Sequence, residues 1–193
     1  MSFLALEFVS TVRADRTGEI DLLSDADGMT AWVREHAADL GAGPGFGPGF
    51  TASEELRQET VRLRQAVRAL FARAVAPGPP SRADAAALPA FEESLALVNA
   101  AALAAPTAPQ LAWDDEPSLS TVTTGGDESA RLRGRLAAAA VEFLAGPERE
   151  SLRTCQAPRC VLYFVKEHPR QEWCSTACGN RARAARHYRE HKK

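Results

Sequence analysis

Cysteine is missing from the first 154 residues, and the whole chain of 193 contains only four, together with three lysines and two methionines. The long cysteine-free part has no disulfide to staple it, so an apolar core must hold it, and the chain is long enough to bury one. No apolar run approaches the ~18 residues of a membrane span, so no membrane partner is expected. The first apolar stretch lacks a basic leader and is broken by Glu7 and Arg13, which points to a cytoplasmic protein. The chain has no G-x-S-x-G, no H-E-x-x-H, no P-loop and no Rossmann fingerprint. Together these absences argue against an enzyme. They leave the four cysteines as the one concentration of chemistry.

Net charge is small but unevenly placed. Residues 1–146 carry 12 arginines against 20 acidic residues, a net of −8. Residues 147–193 carry 11 basic residues against five acidic ones, a net of +6. Opposite charge on two parts of one chain speaks to partners rather than to fold. The basic part coincides with the cysteines.

Apolar spacing predicts a mainly α body. Leu4, Phe8 and Val12 suggest a short first helix, and Glu19–Leu23 reads as extended. Ser24 is the expected cap of a helix whose apolar face is Met29, Trp32, Val33, His36 and Leu40, ended by Gly41. The Gly/Pro-rich run at 41–50 is a loop, with Phe46 and Phe50 expected to pin it to the core. The strongest helix lies in 51–76, on the stripe Leu56, Thr60, Leu63, Val67, Leu70 and Ala74. Another is expected over 82–104, with Leu88, Phe91, Leu95, Val98 and Ala102 as its core face and Pro89 as kink or true start. A hairpin over 110–113 and 119–123 turns at Asp114-Asp115-Glu116-Pro117, and a last body helix spans about 127–145.

The cysteines are spaced C-x4-C and C-x3-C, thirteen residues apart: Cys155, Cys160, Cys174 and Cys178. Two close pairs flanking a short segment is the pattern for four thiolates around one tetrahedral ion. Such a closed shell leaves no position for water, so the expected cofactor is a structural zinc ion and not a catalytic one. An iron–sulfur centre or a redox disulfide pair are the alternatives, although neither spacing is the redox C-x-x-C. His168, His187 and His191 are spare nitrogen donors better suited to surface roles. Between the pairs, Leu162–Val165 and Arg170–Trp173 are expected to form two strands, and Ser175 to cap a helix over Thr176–Glu190. The expected fold class is therefore a helical domain over 1–146 with a small β-hairpin, plus a treble-clef-like zinc module of hairpin and helix over 148–193.

Trp173-Cys174-Ser175, Cys178-Gly179-Asn180-Arg181, Arg183, Arg186, His187 and Tyr188, with Cys155, Cys160 and Phe164 upstream, resemble the CGNR zinc-finger family. In that family the finger commonly follows a helical domain called ABATE, whose start is similar to Leu4–Thr11 here. Glu7 and Ser10 stand where the pattern has Asp and Asn. The resemblance implies a stress-related transcription regulator whose finger binds DNA, and DNA is the expected partner ahead of RNA, which the residues themselves leave open.

The basic C-terminal helix supplies the candidate contacts: Asn180, Arg181, Arg183, Arg186, Arg189 and Lys192. Arg183 and Arg186 are expected to project outward, while an Ala-lined side packs on the hairpin. A single finger has a small footprint, so a homodimer is the expected means of raising affinity, with the 56–74 stripe as one candidate seam. A small-molecule ligand is a second expectation for the body. The competing reading makes the finger a structural or protein-docking module whose arginines meet carboxylates of the acidic body.

Overall fold

The computed structural model describes residues 3–14, 18–41, 45–84 and 88–191. Helix α1 (Leu4–Val9) leads into a small hairpin of β1 (Val12–Ala14) and β2 (Glu19–Asp21). Helices α2 (Ala26–Glu35) and α3 (Ala37–Leu40) follow, then the long α4 (Glu54–Ala74) and a 3-10 turn at Arg82–Asp84. Helix α5 (Phe91–Ala104), the hairpin β3 (Thr107–Trp113) and β4 (Pro117–Thr123), and α6 (Glu128–Ala145) complete the body. Beyond a second 3-10 turn, β5 (Leu152–Thr154) pairs with β6 (Tyr163–Val165), and α7 (Thr176–Glu190) ends the described chain. The protein is mostly helical with small hairpins, and no described helix is long and apolar enough to cross a membrane.

Helices α2, α4, α6 and α7 start on a side-chain acceptor for their orphan amides, whereas α5, preceded by Ala90, does not. Ser53 accepts from Leu56 N at 3.1 Å and Asp127 from Ala130 N at 2.7 Å. The α2 cap is Asp25, which accepts from Gly28 N at 2.8 Å, and not the expected Ser24, whose hydroxyl instead donates to Asp25. A carboxylate is the stronger acceptor and also complements the helix dipole. Helix α1 stops one turn earlier than the Leu4–Phe8–Val12 spacing implies. Thr11 donates its hydroxyl to Phe8 O at 2.8 Å, and β-branched Val12 enters a strand.

Helix α4 is the spine of the core. Leu56, Leu63, Val67, Leu70 and Phe71 are buried on it, against Phe8, Val33, Leu132, Leu136 and Phe143. Its apolar stripe is thus fully spent on the interior and offers no dimer seam. Phe46 and Phe50 are buried and meet edge-to-face, so the Gly/Pro-rich loop is pinned as expected. Helices α5 and α6 approach closely at Gly134, where a Cβ would lie 2.6 Å from the Ala105 Cβ. Helix α5 begins only after Pro89, and its buried positions are Ser94, Val98 and Ala101. Phe91 and Leu95, expected in the core, are more than two-fifths exposed.

Two arginines one turn apart on α4 enter the interior as cations. Arg64 makes a two-pronged bond to Asp21 (2.6 Å on each arm) and also donates to Thr11 Oγ1 at 2.8 Å, tying β1 and β2 to the spine. Burial raises the Asp21 pKa, but Arg64, the Leu23 amide and Arg57 outweigh it and hold the carboxyl below its ordinary 3.8. A depressed carboxyl contributes stability above its unfolded value and loses it as pH falls through the folded one. Asp21→Asn is therefore expected to cost about 1.5–3 kcal/mol at pH 7. The gap between parent and variant should close below about pH 4, as read by urea melts along a pH series.

Candidate metal centre and nucleic-acid interface

The finger hairpin differs from the one the sequence suggested. Strand β6 pairs with Leu152–Thr154 upstream of the cysteines, while Arg170–Trp173 forms no strand. Burial explains the choice. Leu152 and Tyr163 enter the main core from β5 and β6, whereas the 167–172 stretch is charged and mostly exposed, with Pro169 unable to donate to a ladder. Cys155 and Cys160 occupy the turn that joins these strands. Cys155 N donates to Leu162 O at 2.9 Å and Cys160 N to Ala157 O at 3.0 Å, and Arg159 between them takes a left-handed φ of 62°.

The second pair arrives from α7. Ser175 accepts from Cys178 N at 3.2 Å, the expected cap, which puts Cys174 just before the helix and Cys178 in its first turn. All four sulfurs lie within 4.8 Å of one another, none is in a disulfide, and Cys155, Cys160 and Cys178 are buried. A Zn–S bond of about 2.3 Å sets tetrahedral sulfurs about 3.8 Å apart. Cys160 and Cys174 are 3.8 Å apart and Cys174 and Cys178 3.5 Å, so the donor set fits such an ion. His168, His187 and His191 are outside this cluster, and the rings of the last two meet at a tilt, their centroids 4.1 Å apart.

Packing four thiols together creates an electrostatic conflict. Hydrogen bonds from Cys160 and Cys174 pull the Cys155 thiol well below its ordinary value, while its sulfur pushes Cys160 and Cys174 above theirs. Four simultaneous thiolates require a cation among them. Arg181 supplies part of the counter-charge, its Nη2 lying 2.9 Å from Cys178 Sγ. Arg181, a candidate nucleic-acid contact in the sequence, thus turns its guanidinium toward the cysteine cluster. Gly179 is buried at the same place, and a Cβ there would come 3.1 Å from Trp173 Cδ1.

The other candidate contacts divide. Asn180, Arg183, Arg186 and Arg189 are exposed on α7, and Lys192 lies outside the described residues. Asn180 Oδ1 accepts from Arg183 Nη2, which ties these two side chains together. Arg186 and Arg189 line a cleft of about 640 Å³ between α7 and the body, with Trp173, Tyr188 and Arg82 on its walls. Among the described residues, no α7 arginine forms an ion pair with a carboxylate. The acidic body thus leaves the basic helix unneutralised.

A buried polar network locks the finger to the body, and sequence reading did not find it. Arg68 on α4 pairs with Asp84 at 2.6 Å, and both side chains are at most 3% exposed. Arg68 also donates to Val9 O at 2.6 Å, and Ser81 donates to Val161 O at 2.7 Å. Tyr163 of β6 donates to the second Asp84 oxygen at 2.7 Å. Burial, and then the Asp84 carboxylate, push its phenol pKa up, so it stays a donor. Arg82 reaches Ala157 O within the cysteine turn at 2.7 Å. The only sequence signal was the recurrence of Arg57, Arg64 and Arg68 at seven and four residues beside an apolar stripe.

Comparison with known families agrees with this architecture. Residues 151–191 match the CGNR zinc finger, and residues 3–147 match ABATE, described as "Putative stress-induced transcription regulator". A search of curated proteins finds no match. Neither family description names an enzyme, and a four-cysteine cluster within a CGNR finger is consistent with structural zinc. The chain belongs to the ABATE family, residues 3–147, and carries a CGNR zinc finger after the ABATE domain.

Proposed function

We propose that Cys155, Cys160, Cys174 and Cys178 hold a structural zinc ion, and that the finger so fixed docks on DNA through α7. The observation carrying this reading is the exposed arginine face of α7, with Arg183, Arg186 and Arg189 unpaired by any described carboxylate. Had the finger served to neutralise the acidic body, these side chains would meet its acids. Zinc bound by four thiolates supplies rigidity and no open coordination position. It fixes the start of α7 relative to the β5–β6 hairpin, and Arg181 offsets the charge of the thiolate shell. Arg183, Arg186 and Arg189 then contact phosphates, and Asn180, tied to Arg183 near the start of α7, is placed to reach a base edge or phosphate.

The body's role follows from how firmly the finger is seated. With β5 and β6 inside the main core and Arg68–Asp84–Tyr163 beneath them, the finger moves with the body. Any change of state in the ABATE domain, by ligand or by self-association, would thus reposition α7. Selection of bound sequences from random duplex DNA by the zinc-loaded protein, with Cys174→Ser as control, tests the reading. Enrichment by the parent alone is expected; no enrichment by either would remove the proposal.

A further inference from the structure

From Ser94 to Gly126 the chain carries only three charged residues, Asp114, Asp115 and Glu116, all in one turn, although a quarter of the whole chain is charged. Such a stretch would ordinarily be interior, yet most of it is on the surface. The β3–β4 hairpin projects from the body, with every residue exposed except the half-buried Ala108, Ala112 and Val122. Those three share one face. The other carries the cross-strand pairs Leu111–Leu119 and Trp113–Pro117. Leu111, Trp113 and Leu119 are 70, 68 and 78% exposed, and Leu103 at the end of α5 is 78% exposed. Phe91 and Leu95, at 41 and 42%, are further exposed apolar side chains of the helix that feeds the hairpin, with the Arg73 guanidinium over the Phe91 ring.

We propose that the outer face of the β3–β4 hairpin, continued along α5, is a homodimer interface, occupied by the same face of a second copy of this chain. Area is the first argument. The two aromatics and four leucines, exposed to these extents, offer on the order of 500–700 Å² of surface. That approaches the ~800 Å² that one partner contributes to a standard interface and reaches the top of the ~300–600 Å² range of the largest patches on monomers, which are often functional. Charge is the second. Asp114, Asp115 and Glu116 at the tip repel nucleic acid and anionic lipid alike. The uncharged remainder lacks the marks that would select a foreign protein, whereas an apolar patch is complementary to itself about a two-fold axis.

The sheet's edges point the same way. Each strand holds a proline, Pro109 or Pro117, which cannot donate to a further ladder and belongs at an edge. Association by edge pairing is therefore blunted, and the side-chain face makes the contact. A lone two-stranded hairpin is marginal in water, and two packed face to face about 10 Å apart make a small sandwich. This inference stands apart from the nucleic-acid reading. If both hold, the dimer presents two fingers.

Sedimentation equilibrium of the full-length, zinc-loaded protein from about 1 to about 100 µM tests it directly. A species of twice the 20.7 kDa chain mass is expected. The triple variant Leu111→Ser, Trp113→Ser, Leu119→Ser should dimerise on the order of 10,000-fold more weakly, three interface anchors lost from each of the two copies at about 1 kcal/mol each. Its far-UV spectrum and melting point at low concentration should match the parent, since the three side chains are exposed in the monomer. Leu119→Arg alone is a second variant, expected to be monomeric at 100 µM. A parent that stays monomeric throughout, variants that dimerise like the parent, or flotation of a monomeric parent with anionic vesicles would each overturn the proposal.

Discussion

Asp84→Ala is expected to lower the unfolding free energy by about 3–5 kcal/mol, because it strands a buried guanidinium. Domains of this kind have total stabilities of about 5–15 kcal/mol, so the variant loses a third or more of what holds it. Arg68 would keep its bond to Val9 O but no charge partner, and the Tyr163 hydroxyl would lose its acceptor. The cost comes from leaving one charge behind and not from any large net worth of the pair. Arg68→Met combined with Asp84→Leu should accordingly recover most of the loss, which a double-mutant cycle in urea would show. A loss under about 1 kcal/mol for Asp84→Ala would mean the pair is screened by water. Since Tyr163 and Val161 carry the cysteine turn, Asp84→Ala should also loosen the finger, seen as faster amide exchange over 155–165.

Cys174→Ser is expected to weaken zinc binding by well over the 10–100-fold that loss of a merely supporting residue produces. Structural zinc contributes an apparent ~10–16 kcal/mol to small modules, more than the side chains around this site can replace. The cluster beside the cysteines has only Ala157 and Phe164 as further buried apolar members, with Leu162 and Trp173 partly covered. Loss of the ion should therefore free α7 and the 166–175 segment while α4, α6 and β5–β6 persist on the main core. Competition with a chromophoric chelator gives the affinity, and residue-resolved hydrogen exchange gives the extent of loosening. Arg181→Met tests the counter-charge at Cys178 Sγ and should cost about 10–100-fold in zinc affinity. Parent-like zinc retention by Cys174→Ser would show that three cysteines suffice.

The legible parts of this molecule were those written in local chemistry. Cysteine spacing, the Ser175 cap and the 3.6-residue stripe on α4 each depend on neighbours in sequence, and each is legible there. The misreadings came from long-range competition. Leu162–Val165 is a strand, but its partner was chosen by which segment could bury Leu152 and Tyr163 in the body core. Helix α5 shows the same limit from the other side: Phe91 and Leu95 keep helical spacing, yet the close approach at Gly134 turns Ser94, Val98 and Ala101 inward instead. Arg64 and Arg68 look like surface charge in sequence. Their burial depends on Asp21 and Asp84, 43 and 16 residues away, which no periodicity reveals. In the finger, the sequence spacing could place Arg181 on an inner flank, but only the geometry shows it turned onto sulfur.

The account rests most heavily on α7 as a phosphate-binding face, and the salt dependence of duplex binding tests that most directly. Each phosphate contact contributes about −0.9 to the slope of log K against log salt, through counterion release. The zinc-loaded parent should bind duplex DNA with a steep slope. The variant Arg183→Ala, Arg186→Ala, Arg189→Ala should bind more weakly, with a slope shallower by about 2.7 and unchanged zinc content. Equal affinity and equal slope for parent and variant would contradict it.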